Sequence, residues 1–189
     1  MLMNREELCF VLVDVQEKLI GAIHHHQQVV DNCHWLMQLA DELSIPVLIS
    51  EQYPQGLGET TEPLAMFKKH HLVAEKTAFS CAQDSQCLTK IASLNRKQVV
   101  LMGIEAHVCV LQTAFDLKKK GYVVFVVADA IGSRHEKDYK IALKRYQQND
   151  IALVTKEMVF FECLRDAKNP QFKELSKTFF IRKKDKEQS

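Results

Sequence analysis

The chain has few of the residues that interrupt helices and strands, with six glycines and four prolines among 189 residues. It also has only one tryptophan. So little glycine and proline excludes a collagen-like or proline-rich low-complexity chain. Neither sign of charge dominates, because 25 Lys and Arg residues stand against 24 Asp and Glu residues, for a formal net charge of +1. This balance gives no electrostatic reason to expect nucleic acid or an anionic membrane as the main partner.

Long apolar runs and cysteine motifs are also missing. No apolar stretch is long enough to span a bilayer, and no basic and apolar segment resembling a secretion signal occurs near Met1. The expected location is therefore the cytoplasm. The six cysteines include no CxxC pair, so we expect reduced thiols and neither a disulfide framework nor a zinc site. None of the histidines, the run His24-His25-His26 included, has a metal-ligand spacing, and we expect no metal or other cofactor.

What is present is the composition of a globular protein, 47% hydrophobic and 26% charged. We expect a single domain over residues 1–181 and a charged tail over residues 182–189. Short β-rich runs alternate with amphipathic segments, which predicts a three-layer α/β/α sandwich around a six-stranded, mainly parallel, Rossmann-like sheet. Strands are predicted at 8–13, 45–49, 71–74, 99–103, 122–127 and 151–154. Helices are predicted at 29–43, 85–94, 106–120, 137–148, after Thr155 and at 170–180, with a loop at 50–63.

Three chemically active side chains follow predicted strands. Asp14 follows the first strand, Lys76 the third and Cys109 the fourth. The carboxyl ends of parallel strands share one edge of the sheet, where such folds bind ligands. A thiol in the first turn of a helix is also expected to favour the thiolate. Each residue has a plainer interpretation as well: a small buried hydrophobe for Cys109, a loop cap for Asp14 and a solvated surface group for Lys76.

Over nearly its whole length the chain resembles the isochorismatase-like cysteine hydrolase superfamily, and most of all the isochorismatase domain-containing proteins. The resemblance depends on the order and spacing of several segments, since no single short motif is specific. These segments are VLVDVQEK (11–18), EQYPQGLG (51–58), KTAFS (76–80), GIEAHVCV (103–110), DA with SR (129–134) and NPQFKE (169–174).

The resemblance implies an activity and a triad. The superfamily hydrolyses small amides, imides or enol ethers, and only its amide-type chemistry uses a cysteine. Its aspartate falls on Asp14, its lysine on Lys76 and its nucleophile on Cys109. An enzyme of this kind would form a thioester intermediate with a small-molecule substrate. The alternative is a non-catalytic or thiol-sensing interaction protein that retains the hydrolase fold.

The resemblance also implies a cis peptide between Ile104 and Glu105, shortly before the nucleophile. The amides of Glu105 or Ala106 and of Cys109 are then candidate donors to an oxyanion. In one respect the chain departs from the nicotinamidases of this superfamily, which carry an Asp-x-His pair that holds a metal. The matching loop reads Glu51-Gln52-Tyr53, so we expect no metal site there.

Candidate residues for substrate binding are Gln16, as a polar contact, and Tyr53, Leu57 and Phe79, as apolar walls. The alternative is equally open, with Gln16 capping the next segment and Phe79 lying in the core. A homo-oligomer is also expected, because the four consecutive apolar residues 158–161 cannot all face one side of a helix. The C-terminal helix could instead cover them.

Overall fold

A single sheet of six strands, all parallel, lies at the centre of the computed structural model, which describes residues 1–181. This confirms the predicted fold class. The strands are β1 (Leu8–Val13), β2 (Val47–Gln52), β3 (Leu72–Lys76), β4 (Gln98–Ile104), β5 (Val123–Gly132) and β6 (Ala152–Val154). Their order in the sheet is β3-β2-β1-β4-β5-β6. The order reverses between β1 and β4, which places the expected ligand site of such a sheet at the carboxyl ends of these two strands.

Helices cover both faces of the sheet. They are α1 (Glu17–Ile20), α2 (His26–Glu42), α3 (Pro54–Leu57), α4 (Glu62–Ala65), α5 (Ser85–Ser93), α6 (Cys109–Lys119), α7 (Glu136–Gln148), α8 (Lys156–Leu164) and α9 (Phe172–Ser176). Short 3₁₀ turns at Arg5–Glu7 and Met66–Lys69 and a π-helical turn at Lys177–Ile181 complete the described elements. Within residues 1–181, every helix is too short or too polar to cross a bilayer.

The core has two halves, one on each face of the sheet. Phe10 and Leu12 of β1 point into the half that includes α2 and α8, while Cys9 and Val11 point into the half that includes α5, α6 and α7. This alternation follows from the period of two in a strand. Since every residue of β1 is buried, both faces of this central strand must be apolar, as the sequence shows.

The structure corrects several predicted boundaries. β2 starts two residues later than predicted and continues to Gln52, into the segment 50–63 that was predicted to be a loop. That segment also contains α3 and the start of α4. β5 continues to Gly132 and not to residue 127, past a shift of register opposite Leu101 and Gly103. α6 begins at Cys109 itself, later than predicted. The predicted last helix is divided into α9 and the π-helical turn, and the predicted tail lies outside the described residues.

Gly103 brings β4 unusually close to β1. Its φ is +115°, a conformation that residues with a side chain rarely adopt, and a Cβ at this position would overlap the backbone of Val13. Val13 immediately precedes Asp14, and Gly103 lies six residues before Cys109. The glycine therefore allows the two strand ends that carry these residues to approach each other.

Candidate functional site

Asp14 is held at the end of β1 by its backbone and by two donors. Its φ is +51°, in the left-handed region that aspartate tolerates better than most residues. The carboxylate is completely buried. Ser50 Oγ donates to Oδ1 at 2.7 Å, and Lys76 Nζ donates to Oδ2 at 2.7 Å. The Asp14 carboxylate is thus fixed in one orientation by one donor from β2 and one from β3.

Lys76 is the last residue of β3, and its side chain is buried rather than solvated. Besides Asp14, its Nζ contacts Gln52 Oε1 at 2.6 Å and the carbonyl oxygens of Ala78 and Phe79 at 3.1 and 3.0 Å. These acceptors account for every proton of the ammonium group. Lys76 is therefore a fixed internal charge beside Asp14.

Cys109 is the first residue of α6 and is 8% exposed. The Asp14 carboxylate and the Lys76 ammonium group both lie close enough to its thiol to change its pKa. The structure thus brings together the three residues that the sequence placed after separate strands. The plainer interpretation of Lys76 as a surface residue is wrong, because that side chain is buried against Asp14.

Burial dominates the electrostatics of this cluster. Burial and the nearby Asp14 carboxylate raise the pKa of Cys109 well above its ordinary value, so the resting group is a neutral thiol. This direction is opposite to the thiolate preference expected at the helix N-terminus, because burial and the Asp14 carboxylate both favour the neutral thiol. Burial likewise raises the pKa of Asp14, although Lys76 offsets part of the effect. Burial alone would lower the pKa of Lys76, but Asp14 outweighs it and keeps the lysine charged.

Two of the three candidate oxyanion donors near Cys109 have a backbone amide with no acceptor among residues 1–181. The peptide between Ile104 and Glu105 is cis, as the resemblance implies. Among residues 1–181, neither the amide of Glu105 nor that of Cys109 donates a hydrogen bond. The amide of Ala106 donates to the carbonyl of Gly132 at 2.7 Å. Ala106 is thereby removed from the candidate oxyanion donors, and Glu105 and Cys109 remain.

The structure assigns Gln16 to the architecture and not to a ligand. Its Nε2 donates to the carbonyls of Gln52 and Gly58 at 3.0 and 2.6 Å, and its Oε1 accepts from the Gln52 amide at 2.7 Å. The buried side chain has no N–H left for a substrate. The expectation of a substrate contact is wrong for this reason, and Gln16 instead links β2 to the segment that follows α3.

The three apolar candidates are not buried in the core. Tyr53 and Phe79 are each 54% exposed, and Leu57 is half-buried at the end of α3. Tyr53 lines an open depression of about 160 Å³ together with Lys76 and Thr77. The core alternative for Phe79 is therefore wrong. An exposed aromatic residue three positions after Lys76 remains available to a substrate or to another chain.

Glu51 lies in the segment that the resemblance aligns with the metal-binding Asp-x-His pair of the nicotinamidases. Its negative charge is balanced by Lys68 of the same chain. Its Oε1 accepts from the Thr60 amide at 2.8 Å, from Thr60 Oγ1 at 2.7 Å and from Lys68 Nζ at 2.9 Å. Within residues 1–181, no group of three or more His, Cys, Asp or Glu side chains is arranged to hold a metal ion. Glu51 instead joins β2 to the segment from Thr60 to Lys68.

Sequence reasoning missed two residues of the site, Ser50 and Gln52. Both were assigned to a loop, whereas in the structure they lie on β2, two positions apart and on the same side of the strand. Ser50 Oγ donates to Asp14, and Gln52 Oε1 accepts from Lys76. The sequence contains no clear signal, because residues 50, 51 and 52 are all polar and lack the alternation that would distinguish the end of a strand from a loop.

The fold and the buried cluster at the sheet's switch point define a three-layer α/β protein with a candidate nucleophile. A family profile for the isochorismatase domain matches residues 9–158. A Danio rerio protein named isochorismatase domain-containing protein 2 is 40% identical over 169 residues, which cover 88% of this chain and 84% of that protein. The chain therefore belongs to the isochorismatase family, which confirms the resemblance seen in the sequence.

Solved structures of other proteins share this fold. A Caenorhabditis elegans structure described as MAR1 ribonuclease is 33% identical, with a TM-score of 0.87 over 96% of this chain and 93% of that one. The Escherichia coli YcaC gene product, described as an octameric hydrolase of unknown specificity, is 21% identical. It superposes with a TM-score of 0.85 over 96% of this chain and 97% of that one. The second likeness shows a shared fold.

Proposed function

We propose that the chain is a cysteine hydrolase that acts on a small amide or related acyl compound through Cys109, Asp14 and Lys76. The observation that carries this proposal is the burial of a thiol beside an ion pair of a carboxylate and an ammonium group, close enough for both charges to act on the thiol. Burying charged groups is costly, and a scaffold gains nothing from placing such a pair beside a thiol. This arrangement therefore favours an enzyme over the non-catalytic alternative.

In the first step of the proposed reaction, Asp14 accepts the thiol proton as the sulfur of Cys109 attacks the substrate carbonyl carbon. The elevated pKa of Asp14 suits a group that must take up a proton. The carbonyl becomes a tetrahedral oxyanion, which the amides of Glu105 and Cys109 stabilise. Lys76 stays protonated and balances the charge that moves between the sulfur and Asp14.

In the second step, protonated Asp14 gives its proton to the leaving nitrogen, and the C–N bond breaks to leave a thioester on Cys109. Asp14, again a carboxylate, removes a proton from water as the water oxygen attacks the thioester carbonyl. The C–S bond then breaks, the acid product departs, and Asp14 returns the proton to the sulfur. No group outside the cluster is needed to balance the protons.

A parallel activity screen tests the enzyme against the non-catalytic alternative. Small amides and activated esters are incubated with the wild-type protein and with Cys109→Ala, and product acid is measured. We expect turnover of at least one compound by the wild type and none above background by the variant. Equal turnover by both proteins would contradict the cysteine mechanism. Ser93→Ala, a change on the exposed face of α5, is a suitable folded control.

A short RNA belongs in the same screen because the related worm structure is described as a ribonuclease. The site itself favours acyl compounds. The ammonium group of Lys76 is already surrounded by four protein oxygens, so it offers no free proton to a phosphate. The near-neutral net charge supports the same expectation.

The proposal includes a homo-oligomer in a reducing compartment such as the cytoplasm. Met158 and Phe161 on α8 are 45% and 48% exposed, which supports burial against another chain. The description of the E. coli relative as octameric supports the same assembly. All six cysteines are free thiols, as expected for a protein that works under reducing conditions.

A further inference from the structure

Glu105 places a carboxylate in the short segment between the end of β4 and the candidate nucleophile Cys109. Its carboxylate is almost completely buried, yet it is not part of the Asp14 cluster. Arg134 binds it through three donors: the backbone amide at 3.1 Å, Nε at 3.1 Å and the terminal nitrogen Nη2 at 2.6 Å. The Arg134 side chain is 53% exposed, so the ion pair extends from the protein surface to the loop before Cys109.

The two residues after Glu105 are anchored to the same partner segment. The amide of Ala106 donates to the Gly132 carbonyl at 2.7 Å, and His107 Nδ1 lies 2.9 Å from Ser133 Oγ. Residues 105, 106 and 107 are thus each bound by one of the three consecutive residues 132–134. Tyr146 adds a bond from its hydroxyl to the Ala106 carbonyl at 2.6 Å. The short segment that precedes the nucleophile is therefore fixed from outside the triad.

Among the residues that hold this segment, Arg134 matters most because it balances the negative charge of Glu105. Burial raises the pKa of the Glu105 carboxyl, but the hydrogen bonds from Arg134 outweigh it and keep the carboxyl ionised. An ionised carboxylate on the residue that offers an amide to an oxyanion would repel that oxyanion if it were unpaired. The planar guanidinium neutralises the carboxylate and also fixes its orientation through two parallel donors.

From this arrangement we infer that Arg134 is a positioning residue for acyl transfer: through Glu105 it holds the backbone amide that receives the oxyanion. The inference rests on the proposed function. It assigns Arg134 no contact with the substrate. Arg134 should affect the rate only of reactions in which a carbonyl becomes tetrahedral, because only these develop negative charge on the carbonyl oxygen.

Two reagents separate this effect from general reactivity of the thiol. Iodoacetamide alkylates Cys109 by displacement of iodide, in which the new C–S bond forms without an oxyanion. An activated ester, p-nitrophenyl acetate, acylates the same sulfur through a tetrahedral oxyanion and releases p-nitrophenolate. The ratio of the acylation rate to the alkylation rate therefore measures the oxyanion site, and a general loosening of the fold would change both rates together.

The experiment measures both rates at Cys109 by intact-protein mass spectrometry for the wild type, Arg134→Gln and Arg134→Lys. Arg134→Gln is expected to lower the ratio by about tenfold or more, since removing one oxyanion donor outright typically costs about 10²–10³-fold. Arg134→Lys keeps the charge but loses the parallel donors, so an intermediate ratio is expected. The matched control is Lys140→Gln, which breaks the exposed Lys140–Glu136 ion pair on α7. It should leave the ratio unchanged.

The outcomes are distinguishable. An unchanged ratio in Arg134→Gln, or an equal fall in both rates, would overturn the inference while leaving the proposed function intact. Failure of the ester to acylate Cys109 in the wild type would overturn the proposed function, and the inference with it. If Arg134→Gln does not fold, the conservative Arg134→Lys variant decides the question by the same ratio.

Discussion

At the scale of single residues, the environment of Asp14 determines what Cys109 can do. The thiol is neutral at rest, so its reactivity depends on a neighbouring base more than on a preformed thiolate. The positions of Asp14, Lys76 and Cys109 could be predicted because each follows a recognisable strand. Ser50 and Gln52 could not, since their roles depend on the pairing of β2 with its two neighbours. Ser50 lies opposite Val13 of β1, and Gln52 lies opposite Lys76 of β3.

Ser50 supplies the first prediction. Its hydroxyl donates to the ionised form of Asp14 and therefore lowers the pKa of that carboxyl. In Ser50→Ala the pKa of Asp14 should rise, so the acidic limb of the activity profile should move to higher pH. A shift of about 0.5 to 1.5 pH units is expected for one lost hydrogen bond to a charged group.

The measurement is the rate of Cys109 acylation between pH 5 and pH 9 as a function of pH, with about half-unit steps. Ser93→Ala, whose hydroxyl bonds only to the Lys90 carbonyl on the exposed side of α5, is the control. A limb that stays in place, or moves to lower pH, would show that Ser50 does not stabilise the Asp14 carboxylate.

At the scale of secondary-structure elements, the apolar centres of the strands were predictable and their ends were not. Apolar residues identify the buried part of β2 and β5. Most of the last residues of both strands are polar or small, and they are extended because a neighbouring strand offers backbone partners. Local sequence carries no record of that pairing. These unpredicted ends are also where the site lies.

A substitution at Gly103 tests how closely the backbone of β4 approaches that of β1. Gly103→Ala should destabilise the fold by roughly 2–4 kcal/mol, because the new Cβ combines a strained backbone with overlap against Val13. Activity should fall as well, because Val13 precedes Asp14. Urea unfolding gives the free energy.

Two other glycines provide matched controls. Gly121 also has a positive φ but has open space around it, so Gly121→Ala should cost only the backbone strain, about 1 kcal/mol. Gly21 has neither feature, and Gly21→Ala should change stability by less than about 0.5 kcal/mol. Similar costs for Gly103→Ala and Gly121→Ala would argue against a close approach of the strands.

Glu51 connects β2 to the segment from Thr60 to Lys68, and its ionisation should make the stability of the fold depend on pH. Burial raises the pKa of Glu51, but the bonds from Thr60 and Lys68 outweigh it and hold the pKa below its ordinary value. A depressed native pKa stabilises the fold above the ordinary Glu value of about 4.3, and this stabilisation is lost as pH falls through the lower native value.

Glu51→Gln should therefore cost about 1–3 kcal/mol near neutral pH and progressively less as pH falls below about 4. Urea unfolding at a series of pH values measures this difference. The exposed Glu136→Gln on α7 is the control, and it should be nearly neutral at every pH. A difference between wild type and Glu51→Gln that does not vary with pH would refute the assigned ionisation.

At the scale of the whole molecule, the three-layer architecture follows from the alternation of strands and helices, and the order of strands places the site at the switch point. Assembly was predicted partly from the family resemblance and partly from the four apolar residues 158–161. Phe160 is buried among aromatic side chains that include Trp35 and Phe180, so the C-terminal region covers part of that set. Phe161 and Met158 remain exposed.

Light scattering at micromolar concentration should give a mass that is a multiple of the 21.7 kDa chain. Phe161→Asp should reduce that mass while retaining the fold, since a carboxylate in an apolar interface carries a desolvation cost. Lys140→Gln, a surface change on α7, should leave the assembly unchanged. A wild-type mass of one chain would contradict the predicted oligomer.

The central claim is that Cys109 forms a thioester with the substrate while Asp14 moves the protons, and intact-protein mass spectrometry with a slow acyl substrate tests it most directly. The wild type should gain one acyl group on Cys109, and Cys109→Ala should gain none while remaining folded. Asp14→Asn should retain the thiol but lose turnover by about 10²–10⁴-fold. An adduct on another cysteine, or full turnover by Cys109→Ala, would contradict the account.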